Sequence, residues 1–101
     1  MQFLKNLLYK PLSTTLKVTS SNGFHLRPIA QFVNRAKGFD ASIEVEVEYK
    51  HLRVNAKKIN TLLSLSLDKE DIFILHCHGK DAKEALEALS VLFKKPYPSY
   101  A

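Results

Sequence analysis

Residues 14–38, TTLKVTSSNGFHLRPIAQFVNRAKG, hold the passage on which the reading of the whole chain turns. The first part alternates: Leu16 and Val18 are apolar between Thr15, Lys17 and Thr19, the period of a half-buried strand, which we place at 14–20. Ser21, Asn22 and Gly23 then make a turn. Beyond it the period changes. Ile29, Phe32, Val33 and Ala36 fall on one helical face, with Gln31, Asn34, Arg35 and Lys37 on the other. Gly38 ends this helix as a left-handed C-terminal glycine. At the junction of turn and helix stands His25, followed by Arg27 and Pro28.

Working outward, residues 41–48 alternate again, Ile43, Val45 and Val47 against Ser42, Glu44, Glu46 and Glu48: a strand with one buried and one acidic face. Tyr49 and Lys50 read as a hairpin connection into a short third strand at 51–54. Asn55 is placed to cap a helix over 56–63, with Ile59, Leu62 and Leu63 apolar. The apolar run from Ile72 to Cys77 reads as the fourth strand, and Gly79, Lys80 and Asp81 turn the chain. A last helix over 82–93 carries Ala85, Leu86, Leu89 and Leu92 or Phe93 toward a core, and Pro96 and Pro98 stop it. The order βαββαβα predicts an α+β fold, an open-faced β-sandwich with a four-stranded antiparallel sheet and three helices on one face. Residues 1–12 read as an N-terminal leader, 13–94 as the domain and 95–101 as a tail.

Composition narrows the class. A chain of 101 residues, 46% hydrophobic and 25% charged, has the make-up of one globular domain with a single core. Its lone cysteine, Cys77, has no intrachain partner, so no disulfide staples the fold and a cytoplasmic location is expected. Phe3, Leu4, Leu7 and Leu8 are interrupted by Lys5, too short a run for membrane insertion and without the cleavage site of a signal peptide. The formal net charge of +5 raises nucleic acid as a partner, but the Lys and Arg residues are scattered without a nucleic-acid motif, and none is expected to bind.

His25 carries the chemistry. A helix start leaves N–H groups without carbonyl partners and a partial positive charge, so an imidazole there is well placed to receive a phosphoryl group. The neutral ring supplies the attacking lone pair. Pro28 is tolerated because a first-turn residue needs no N–H partner. The dipole contributes at most about 2 kcal/mol, so it assists phosphate holding and does not make a tight site alone. The backbone amides of Leu26 and Arg27 face the same anion, and the Arg27 guanidinium can balance charge on the moving oxygens. The competing interpretation is an exposed helix-capping histidine without chemistry.

Other polar groups are set aside. In a strand, His76 and His78 point to one face and Cys77 to the other, so the three do not share an ion, and no metal or other cofactor is expected. Glu44, Glu46 and Glu48 are the solvated side of a strand.

The run from Asn22 through Ala30 resembles the active-site signature of HPr, the histidine-containing phosphocarrier of the bacterial sugar phosphotransferase system. Phe32-Val33, Ala36-Lys37-Gly38-Phe39, Asn55-Ala56-Lys57 and the run from Glu84 to Leu89 resemble further HPr segments in the same order, over about residues 13 to 93. The resemblance implies that His25 carries the phosphoryl group on Nδ1 and that Arg27 is its charge partner. It implies acceptance from phosphorylated enzyme I and donation to an enzyme IIA-type protein in sugar uptake. It also implies a docking surface of Phe24, Leu26, Arg27, Ala30, Lys37, Ile59 and Leu63, ringed by Arg27, Lys37, Lys57 and Lys58 and suited to acidic partners.

The pattern departs from the family at one place of consequence. Many HPr proteins begin the short helix with Asn-x-Lys-Ser, the serine being a kinase target in some bacteria, and here Lys58 stands in that position. Regulation by phosphorylation of that serine is therefore not expected. Asn60 and Thr61 also differ from the family's usual residues, which motivates an alternative: a regulatory module that reports phosphorylation state without feeding sugar transport. A carrier that takes part in phosphotransferase reactions without being an independent enzyme remains the leading expectation.

Overall fold

The computed structural model describes residues 9–19 and 23–93. Its elements, in chain order, are β1 (Leu12–Lys17), α1 (Leu26–Ala36), β2 (Ser42–Val47), β3 (Leu52–Asn55), α2 (Ile59–Leu63), β4 (Ile72–His78) and α3 (Ala82–Ser90). Short 3-10 turns follow β2 (Glu48–Lys50) and α3 (Val91–Phe93). The strands form one sheet in the order β1-β4-β2-β3, every neighbouring pair antiparallel. The expected order and α+β class are both present.

Period-two alternation divides the sheet into two faces. Ile43, Val45 and Val47 of β2 and Phe73, Leu75 and Cys77 of β4 are buried, and Leu12 and Leu16 of β1 pack against the same core. Three helices cover that face, contributing Ile29, Phe32, Val33 and Ala36 from α1, Leu62 from α2, and Ala82, Ala85 and Leu89 from α3. Among the described residues no polar or charged side chain is buried, so burial of apolar surface holds the layers together. The opposite face is polar: Arg53 Nε donates to Glu44 Oε1 at 2.6 Å, and His76 Nε2 lies 2.8 Å from Glu46 Oε1.

Several boundaries differ from the sequence reading. β1 is Leu12–Lys17, not 14–20; it takes in Leu12, assigned above to the leader, because Leu12 pairs with Cys77. Val18 leaves the ladder but stays buried, its N–H donating to Asp71 O at 2.9 Å. Residues 1–8, most of the leader, lie outside the described residues, as do Asn22, Lys94 and the whole 95–101 tail.

Asn55 does not cap a helix. It ends β3, and its Oδ1 accepts the Lys57 N–H at 2.8 Å in a side-chain turn, so α2 starts only at Ile59, with Lys58 as its N-cap residue. The β2–β3 connection is a 3-10 turn closed by the His51 N–H on Glu48 O at 3.0 Å, with His51 left-handed at φ 55°. Gly38 is not left-handed either. The chain runs out of α1 through Lys37 in right-handed geometry, and a Cβ on Gly38 would be crowded at 3.3 Å from Arg35 O.

Candidate functional site

The site is built at the start of α1. Gly23 adopts φ +84°, and a Cβ on it would lie 3.0 Å from Leu67 O and 3.3 Å from the Cα of Asp68, so side-chain-free backbone is needed for both reasons. One residue on, the Phe24 N–H donates to Leu67 O at 2.9 Å, an isolated antiparallel bridge to the loop between α2 and β4. Strand-like alternation then turns the Phe24 ring inward and the His25 ring outward.

His25 is the N-cap residue of α1, extended at φ −116° and ψ −162°, with no side-chain capping bond. Its carbonyl accepts the Ile29 N–H at 2.9 Å, and among the described residues the exposed imidazole makes no hydrogen bond. The Leu26 and Arg27 amides belong to the first turn, whose N–H groups have no carbonyl partner inside the helix. That turn contains no acidic residue, and among the described residues Arg27 makes no salt bridge. His25, Leu26, Arg27, Ala30, Gln31 and Asn34 line one shallow groove. An anion placed there meets the first-turn amides, a guanidinium and a ring nitrogen.

The expected docking residues divide into those on this surface and those away from it. Leu26 is 59% exposed, and Ile59 and Leu63 on α2 are also exposed while Leu62 between them points to the core. Ala30 is half-buried in the groove. Phe24 is a correction: only 4% exposed, it belongs to the core and offers partners no side-chain surface. Lys37 is exposed at the far end of α1, about 18 Å along the axis from His25 by helical rise. Lys57 is also not a free rim cation, since its Nζ donates to Phe39 O at 2.6 Å, whereas Lys58 is exposed.

Periodicity alone did not bring in Leu67, Phe73 or Phe93 as supports of the site. The only signal for Leu67 was its alternation with Leu65 before a polar turn.

His76, Cys77 and His78 separate as strand geometry requires. His76 faces Glu46, the His78 Nε2 lies 2.8 Å from Tyr9 O, and Cys77 enters the core. Burial, reinforced by Asp81, pushes the Cys77 thiol up to about 11, which keeps it protonated and unreactive near neutral pH.

The open-faced α+β sandwich, with an exposed histidine at the N-terminus of α1 and an arginine two residues on, falls in the same structural class as solved phosphocarrier proteins. Residues 12–95 match the family described as the PTS HPr component phosphorylation site. The chain belongs to the HPr family, the phosphocarriers of the phosphotransferase system. Among its relatives, the phosphocarrier protein HPr of Vibrio cholerae is 42% identical over 77 residues, 76% of this chain and 88% of that protein. That of Buchnera aphidicola is 38% identical over the same shares of the two chains. The crystal structure of an HPr from Bacillus anthracis superimposes with a TM-score of 0.77 at 34% identity, covering 83% of this chain and 98% of the other.

Proposed function

We propose that His25 is the phosphoryl acceptor, receiving the group from phosphorylated enzyme I and passing it to an enzyme IIA-type acceptor in sugar uptake. The observation that carries this reading is the exposed His25 ring, without a hydrogen bond among the described residues, beside the first-turn amides of Leu26 and Arg27. On acceptance the neutral His25 ring nitrogen attacks phosphorus, a P–N bond forms and the bond from phosphorus to the donor atom breaks; on donation the acceptor's nucleophile attacks the same phosphorus and the P–N bond to His25 breaks, returning the neutral ring. Arg27 balances negative charge on the oxygens as they pass, and the first-turn amides hold them. Family likeness supports Nδ1 as the atom used. Membership of the family favours the carrier over the purely regulatory module.

Leu26, Ile59 and Leu63 form the apolar part of the docking surface, with Arg27 and Lys58 as its accessible cations and Lys37 at its edge. Among the described residues, no helix is long and apolar enough to cross a membrane. A cytoplasmic location rests on the likeness to carriers fed by enzyme I and on the single buried thiol.

The test is incubation with phosphoenolpyruvate and enzyme I, followed by mass measurement in alkaline solution, where phosphohistidine survives. One phosphoryl group should be gained by the native chain and none by His25→Ala. Retention of the gain in His25→Ala, by way of His51, His76 or His78, would sink the assignment.

A further inference from the structure

Phe24, the residue before His25, is packed among aromatic rings contributed from across the fold. The ring of Phe24 lies 5.7 Å from Phe32 of α1, edge to face, 6.2 Å from Phe73 of β4, stacked, and 5.5 Å from Phe93, edge to face. Phe93 in turn lies 5.7 Å from Phe32 and 5.1 Å from Phe73, so it alone of the outer three touches both of the others. Phe93 is the last residue of the 3-10 turn after α3, half-buried, and it closes the box from the outside. With Phe24 and Pro28 it lines a small cavity behind the first turn of α1.

We infer that Phe93 is a positioning residue for His25, acting through Phe24. The ring of Phe24 and its bridge to Leu67 O are the two restraints on the residue that precedes the histidine. Removing the Phe93 ring leaves a gap on the open side of the box, into which Phe24 relaxes, and the backbone entering α1 moves with it. Phosphoryl transfer needs the attacking nitrogen within a few tenths of an ångström of its line of approach, so a small shift is costly in rate. Aromatic pairs in edge-to-face geometry attract beyond the area they bury, which gives Phe93 the leverage to fix the rotamer of Phe24.

The inference rests on His25 being the phosphoryl acceptor. The experiment compares Phe93→Ala, Phe93→Val and Phe93→Leu with Ile43→Ala, a core truncation at the Cys77 end of the sheet, about 13 Å along β4 from Phe73. Transfer from phosphorylated enzyme I and the nitrogen resonances of the His25 ring are measured where each variant is fully folded.

Phe93→Ala should lower kcat/KM about tenfold and move the His25 resonances. Phe93→Leu should recover most of the rate, and Phe93→Val should fall between and carry the comparison if the alanine variant does not fold. Ile43→Ala should leave rate and resonances in place. Equal rates in the Phe93 and Ile43 truncations, with unmoved His25 resonances, overturn the inference. Absence of any transfer to the native chain overturns instead the carrier reading, and the ring resonances then still report whether Phe93 positions His25.

Discussion

Gly23 shows at the residue scale how much of the site depends on a missing side chain. Gly23→Ala must relieve both a Cβ 3.0 Å from Leu67 O and a positive φ, so it should cost about 1–3 kcal/mol in denaturant unfolding and slow phosphoryl acceptance along with it. Unchanged stability would mean that the loop shifts freely. Cys77 gives a second prediction. The folded thiol, raised by burial to about 11 from its ordinary value, binds its proton more tightly than the unfolded one, so this stabilisation is full below the unfolded thiol's pKa and is lost as pH rises to 11. Thermal melts of the native chain should fall through that window by on the order of 2 kcal/mol more than those of Cys77→Val. Parallel pH profiles for the two proteins would exclude the effect. His25, Arg27 and the inward residues of each strand were legible in the sequence because each depends on local spacing. The burial of Phe24 was not, since it follows from a bridge to Leu67 that no local pattern announces.

The elements were legible in kind and order, and their errors share a cause. Helix and strand periods are written along the chain, but where an element stops depends on which backbone groups find partners elsewhere. Thus α2 begins three residues later than 56–63 implied, because Asn55 Oδ1 takes the Lys57 N–H and Thr61 Oγ1 donates to Asn55 O at 2.6 Å. Similarly, the Asp81 carboxylate accepts from the Asp40 and Ala41 amides at 2.9 and 2.8 Å, tying the start of α3 to the entrance of β2, a link invisible from spacing. Lys58 occupies the N-cap of α2 in extended geometry with no side-chain bond. Because a serine hydroxyl there can accept a first-turn N–H, Lys58→Ser should stabilise the protein by about 1 kcal/mol, read as a raised unfolding midpoint. A lowered midpoint would show that the Lys58 stem does more by packing than a cap does by bonding.

Across the whole molecule, charge is distributed unevenly along the sequence. No aspartate or glutamate occurs before Asp40, so α1 presents Arg27 and Arg35 without a carboxylate, and acidic side chains such as Glu44 and Glu46 lie on the far face of the sheet. The histidine face should therefore be steered toward acidic partners, and kon for phosphotransfer should fall about tenfold as ionic strength rises from roughly 0.01 to 0.5 M. A rate indifferent to salt would remove steering from the account. The bridge from Phe24 to Leu67, and the box that Phe93 closes, also set a clock. The histidine lies early in the chain, yet Leu67, Phe73 and Phe93 all follow it by more than forty residues and are synthesised later. If His25 is the phosphoryl acceptor, a nascent or half-folded chain carries it without these supports, and during refolding the ability to take a phosphoryl group should lag behind the gain of helix seen by circular dichroism. Acceptance that keeps pace with helix formation would show that the first turn of α1 suffices by itself.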